Sequence, residues 1–121
     1  MPNPFYQIYE GAALLAGAST FFCSSFETNN YLQDFESIPS ETWRNTELIY
    51  ICSPANPTGK SLSDDQIEQL IGLAHQYDFT IASDECYSEI YSSSHNKPNS
   101  LLKISVNIGN KSFEYCIIFH S

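Results

Sequence analysis

The residues Leu48-Ile49-Tyr50-Ile51-Cys52-Ser53-Pro54-Ala55-Asn56-Pro57-Thr58-Gly59 open a stretch, running on to Tyr91, whose reading decides the fold. The apolar run Leu48–Cys52 is long enough for a strand and too short for a buried helix, and the Ser, Pro, Asn and Gly residues after it form a loop. Ser63 then stands before Asp64-Asp65-Gln66, a Ser-x-x-Gln capping box that satisfies orphan amides and sets negative charge at the positive end of a helix. Ile67, Leu70, Ile71 and Ala74 follow at i, i+3, i+4 and i+7, one apolar stripe that predicts a helix over Asp64–Tyr77. A second β-prone run from Phe79 to Ser83 leads into Asp84-Glu85-Cys86-Tyr87. Strand, helix and strand in this order make a βαβ unit with parallel strands and a right-handed crossover. A third strand is expected over Tyr115–Phe119.

In parallel sheets of this kind ligands collect beyond the carboxyl ends of the strands, and Asn56 and Asp84 each follow such an end. The two are therefore expected to converge. Asn56-Pro57-Thr58-Gly59, the capped helix and Asp84-Glu85-Cys86-Tyr87, at this spacing, resemble the large domain of the class I and II aminotransferases, pyridoxal-phosphate enzymes of the aspartate aminotransferase fold. The loop alone is a weak signal; the three features together are specific. Similarity along the rest of the chain points to the succinyldiaminopimelate aminotransferase branch of lysine biosynthesis. The resemblance implies an α/β architecture, a partial three-layer sandwich around a mostly parallel sheet. It makes residues 1–121 part of the cofactor-binding large domain of a fold type I pyridoxal-phosphate transferase.

The resemblance also implies roles. Asp84 would stabilise the protonated ring nitrogen of pyridoxal phosphate, since an opposite charge within hydrogen-bond reach favours the protonated form. Asn56 and Tyr87 would donate to the cofactor's phenolic oxygen. Tyr6, in a family stretch Pro-x-Tyr-x-x-Tyr that begins here at Pro4, would stack on the ring. Ser121 resembles the first serine of a Ser-x-Ser-Lys motif, which places the Schiff-base lysine beyond it; Lys60, Lys97, Lys103 and Lys111 match no such position. Cis geometry is expected at Asn56-Pro57 and at Asn3-Pro4. Read alone, each residue has a plainer role: Asp84 as a turn cap, Asn56 as a turn former, Tyr87 and Tyr6 as packing aromatics. Glu85 matches a common acidic position with no role that its chemistry suggests.

Three functions follow as alternatives. The first is amino-group transfer between an amino acid, N-succinyl-diaminopimelate among the candidates, and a 2-oxo acid. The second is a non-catalytic fragment, and the third a pyridoxal-phosphate lyase or decarboxylase of the same fold. Full-length relatives are expected to be homodimers.

Composition sets the outer bounds. At 121 residues the chain holds one modest domain, and 42% hydrophobic residues are those of a globular class. Fourteen acids against five bases give a net charge of −9, which argues against nucleic acid and anionic membrane as partners. Cys23, Cys52, Cys86 and Cys116 are widely spaced, without Cys-x-x-Cys or a secretory signal, and read as reduced cytoplasmic thiols with no metal site. His75, His95 and His120 lack ligand spacing.

Elsewhere the expectations are local. A helix should pass through Ile8, Ala12 and Leu15 and close at Gly17, with a β-prone run over Ala18–Phe22. Ser24 to Ser40 reads as a polar surface connection with a short strand. Glu41 to Asn45 can make a turn of helix, with Trp43 as a packing anchor. Ser92 to Pro98 reads as a loop, Ser100 to Leu102 as a turn, and Val106 to Asn110 is weakly patterned.

Overall fold

The computed structural model describes residues 1–91 and 97–121. In chain order the elements are β1 (Pro2–Asn3), α1 (Gln7–Leu15), β2 (Cys23–Ser24), a 3₁₀ turn (Glu27–Asn29), α2 (Ser40–Arg44), β3 (Leu48–Cys52), α3 (Asp64–Tyr77), β4 (Thr80–Asp84), α4 (Leu101–Asn107) and β5 (Cys116–Phe119). β3, β4 and β5 form one parallel sheet in that order, and β1 and β2 form a separate parallel pair.

The organising βαβ unit is built as its residues predict. The Ser63 hydroxyl accepts from the Gln66 amide at 3.2 Å while the Gln66 side chain accepts from the Ser63 amide at 3.0 Å, closing the capping box. The buried residues of α3 are Ile67, Leu70, Ile71 and Ala74, the expected stripe. They pack with Ile49, Ile51, Phe79 and Ile81, and with Leu101 and Ile104 of α4, in one core. Asp78 ends α3 in the left-handed region, φ 62°, its amide donating to the Ala74 carbonyl at 2.8 Å. The Tyr115 hydroxyl donates to the Asp78 carboxylate at 2.8 Å and ties that helix end to the start of β5.

Two strand starts differ by one residue from expectation. The Phe79 amide turns back to the Ala74 carbonyl, and Tyr115 stands at φ 62°, outside extended geometry, although its carbonyl accepts from the Ile81 amide at 2.7 Å. Ala18–Phe22 forms no strand; the strand is Cys23–Ser24. Its partner is Pro2–Asn3, flanked by Pro4, and prolines have no amide with which to extend a ladder. The segment after it is more than a surface connection, since Phe35 and Ile38 are buried in the core. α2 carries Trp43, 4% exposed, stacked 5.3 Å from Phe79 and 6.5 Å from Tyr77, centroid to centroid.

α4 exceeds the turn expected at Ser100–Leu102. The Ser100 hydroxyl caps it through the Leu102 amide at 3.3 Å. Glu85, 4% exposed, accepts from the Leu101 amide at 2.9 Å and from the Ser83 hydroxyl at 3.1 Å. That gives Glu85 its role: a buried carboxylate clamping the end of β4 to the start of α4. The loop expected over Ser92 to Pro98, with His95, falls for 92–96 outside the described residues.

Side chains alternate across the sheet, so Ile49 and Ile51 face α3 while Tyr50 faces the other way. There Tyr9 of α1 stacks on Tyr50 with centroids 4.4 Å apart and planes 7° from parallel. The sheet is thus covered by α3 and α4 on one face and by α1 on the other, a partial three-layer α/β sandwich. Among the described residues no helix is long and apolar enough to cross a membrane.

Ser63→Ala should lower stability by about 1 kcal/mol, the usual worth of an N-cap, whereas Leu70→Ala should cost about 2–5 kcal/mol through the cavity it leaves. Urea unfolding of the two variants checks this, and equal effects would contradict the assigned roles.

Candidate active-site cleft

A cleft of about 610 Å³ opens at the carboxyl edge of the sheet. Its size is ordinary for a small-molecule site. Tyr6, Asn56, Asp84, Tyr87 and Ser121 all line it, together with Tyr9, Cys52, Ala55, Pro57 and Cys86 among others. The five residues singled out by sequence, drawn from four parts of the chain, are therefore brought to one place.

The ladder explains how. β3 and β4 pair with Cys52 opposite Asp84, so these side chains share a face at the strand ends, the same face that carries Tyr50 and α1. Beyond β3 the loop is fixed from within: the Leu62 amide donates to the buried Ser53 hydroxyl at 3.0 Å, the Ala55 amide to the Lys60 carbonyl at 2.8 Å, and the Gly59 amide to the Ala55 carbonyl at 2.7 Å. Gly59 has φ 67°, a conformation that costs glycine little. The peptide bonds Asn3-Pro4, Ser53-Pro54 and Asn56-Pro57 are cis. Held this way, the Asn56 amide donates to the Tyr87 hydroxyl at 3.3 Å.

Asp84 is the electrostatic centre. Tyr9 donates its hydroxyl to Asp84 Oδ2 at 2.5 Å, and the Cys86 amide donates to Oδ1 at 3.2 Å. Burial alone would raise the Asp84 pKa, but the contacts from Cys86 and Tyr9 outweigh it and hold the carboxyl below its ordinary value. Burial, and then the bond to Asp84, push the Tyr9 hydroxyl far above its ordinary value, so it remains a donor. Burial also raises the Cys52 thiol. The cleft thus offers an ionised acceptor at Asp84, a second polar pair at Asn56 and Tyr87, and a half-exposed aromatic ring at Tyr6, which meets Tyr9 edge-on at 5.9 Å.

Tyr9 is the residue that sequence reasoning left without a role. The signal was present, because Tyr9 is the second tyrosine of the Pro-x-Tyr-x-x-Tyr stretch and lies three residues, nearly one helical turn, after Tyr6. It is also the buried residue of α1, which marks it as the one that faces the sheet.

Comparison with known proteins identifies the family and the fold. The family profile described as aminotransferase class I and II matches residues 1–115. An LL-diaminopimelate aminotransferase of Nitratidesulfovibrio vulgaris is 34% identical over 102 residues, covering 84% of this chain and 26% of the relative. Among solved structures, an aminotransferase from Neisseria meningitidis superposes with a TM-score of 0.90 at 43% identity, over 99% of this chain and 30% of the other. A probable N-succinyldiaminopimelate aminotransferase from Thermus thermophilus superposes with a TM-score of 0.81 at 25% identity, over 96% and 29%. The chain spans about a quarter of the length of the curated relatives it matches.

Tyr9→Phe should raise the Asp84 pKa, because it removes one of the hydrogen bonds that lower it. A carboxyl-carbon NMR titration reads this directly, and an unchanged or lower value would exclude the pair. The sign for stability follows from linkage. Since the folded-state pKa lies below the unfolded one, the pair stabilises the fold above the ordinary carboxylate range, and this is lost as pH falls through the lowered value. Tyr9→Phe should therefore show a shallower loss of stability in acid.

Proposed function

Because the chain belongs to the class I and II aminotransferase family, we propose that its cleft is a pyridoxal-phosphate site serving transfer of an amino group between an amino acid and a 2-oxo acid. The observation that carries this reading is the Asp84 carboxylate, held ionised by Tyr9 and Cys86 in the cleft that also holds the Asn56–Tyr87 pair.

The donor set fits the group. Pyridoxal phosphate needs an anionic acceptor for its ring nitrogen and donors for its phenolic oxygen, and the two polar pairs of the cleft supply one of each. When bound, the cofactor supplies an electron sink for the bonds at the amino acid's α-carbon. Asp84 would keep a proton on the ring nitrogen, and Tyr9 would keep Asp84 oriented and ionised. Asn56 and Tyr87 would orient the oxygen and withdraw basicity from it, Tyr6 would pack on the ring, and Ser121 would border it. Residues 1–121 then act as part of a cofactor-binding large domain.

The amine is a separate matter. Among the described residues no lysine lines the cleft. Lys97 bonds Glu89, and Lys103 bonds Asn99. Covalent anchoring of the cofactor and proton transfer at the substrate carbon both need such an amine. The chain taken by itself is accordingly a binding unit without turnover.

The names of the relatives favour a diaminopimelate-type amino acid, free or N-succinylated, as the donor in lysine biosynthesis, though no cleft residue by itself selects it. A cytoplasmic location, supported by the four free cysteines, and homodimers for the full-length relatives complete the proposal.

The test is an absorbance titration of the chain with pyridoxal phosphate, with borohydride to trap any lysine adduct, beside an assay with an amino donor and 2-oxoglutarate. Saturable binding is expected, weakened about tenfold to a hundredfold in Asp84→Ala, the worth of one charge-assisted hydrogen bond. No stoichiometric adduct and no turnover above free cofactor are expected. Absent binding, or affinity indifferent to Asp84, would overturn the site; a single trapped lysine with turnover would overturn the division between binding unit and amine.

A further inference from the structure

Two of the four thiols share the cleft. Cys52 ends β3 opposite Asp84, and neighbouring strands lie about 4.8 Å apart. Past Asp84 the chain turns, and the Cys86 amide bonds back to Asp84 Oδ1, which holds Cys86 against the same carboxylate. The Cys52 thiol donates to the Pro54 carbonyl at 3.3 Å, at the start of the loop that carries Asn56. Both residues line the open cleft, one beside Asp84 across the ladder and the other bonded back to it through its amide. The other two thiols lie elsewhere. Cys23 is 6% exposed in β2, and Cys116 starts β5 at the amino edge of the sheet, beside the Ser105 hydroxyl at 3.8 Å.

We propose that Cys52 and Cys86 form a dithiol site in the cleft that hydrogen peroxide oxidises to an intrachain disulfide, closing the cleft reversibly. One sulfur attacks a peroxide oxygen, the O–O bond breaks, and a sulfenic acid and one water result. The second sulfur attacks the first, the S–S bond forms, and the sulfenic oxygen leaves as a second water. Two electrons pass from the thiols to the peroxide, and both thiol protons leave in the two waters. A disulfide requires Cα atoms within about 7 Å; Cys52 lies one strand spacing from Asp84, and Cys86 is two residues past Asp84 in a turn that folds back onto it. The bridge ties the end of β3 to the turn after β4, across the floor of the cleft. The effect on pyridoxal phosphate rests on the function proposed above; the disulfide does not.

The experiment treats the full chain with hydrogen peroxide and maps its peptides by mass spectrometry without reduction. The expected product has lost the mass of two hydrogen atoms and joins the Cys52 peptide to the Cys86 peptide. Cys52→Ser and Cys86→Ser should each abolish this link, while a Cys23→Ser, Cys116→Ser double variant should retain it, with far-UV circular dichroism reporting that each variant is folded. Oxidation should weaken pyridoxal phosphate binding about tenfold or more, and dithiothreitol should restore it. Sulfinic acid at either cysteine without a link, or links scattered over Cys23 and Cys116, overturns the proposal. A link that leaves cofactor affinity unchanged overturns closure of the cleft. A link in a chain that never bound the cofactor supports the dithiol and overturns the cofactor reading instead.

Discussion

The in-register parallel pairing of Leu48–Cys52 with Thr80–Asp84 is the constraint on which the rest depends. Because side chains alternate along a strand, a slip of one residue would either send Ile49 and Ile51 of β3 to the α1 face or turn Asp84 of β4 away from Tyr9. The apolar stripe of α3 opposes such a slip, since the core closes only with Ile49, Ile51 and Ile81 on its side. Burial on one face therefore sets the chemistry on the other. The cleft needs no separate device to align Cys52 with Asp84; the hydrophobic register already does so.

What could be read from the sequence follows from how local each signal is. The bounds of α3 were legible because Ser63 and Gln66 cap it through contacts three residues apart, and its buried face repeats at helical period. Asn56 and Asp84 could be placed at one sheet edge because one lies in the loop just past β3 and the other at the last position of β4. α4 was not, because its stability comes from Glu85, sixteen residues earlier, and from burying Leu101 and Ile104 against α3 rather than from a long pattern of its own. The Tyr9–Asp84 bond spans 75 positions, and no local rule reports a contact of that range. Phe35 and Ile38 were hidden by the polar residues around them, although they complete the core.

Glu85 and Asp84 show how neighbouring acids at one strand end can take opposite parts. Successive side chains point to opposite faces, so Glu85 enters the α4 side, is 4% exposed and has its oxygen occupied by the Leu101 amide and the Ser83 hydroxyl. Asp84 enters the cleft, where its oxygens meet Tyr9 and Cys86 yet remain beside open space. A buried carboxylate with its hydrogen bonds made is a structural clamp. One that is held ionised at the lip of a cavity is available for chemistry.

The charge pattern of the cleft also separates two parts of cofactor recognition. An aromatic phosphate presents a ring that accepts support from an anion and a phosphate that needs donors. Among the described residues the cleft lining contains no lysine or arginine, and its charged side chain is Asp84. On the proposed reading, the βαβ unit and α1 together would supply the ring half of such a site: the acid and the two oxygen donors from one sheet edge, and the aromatic wall from the helix that covers it. On that reading the phosphate and the amine would call on groups that this lining does not carry. Ring recognition would then belong to the parallel ladder, its two loops and α1, separable in physical terms from phosphate binding and from covalent chemistry.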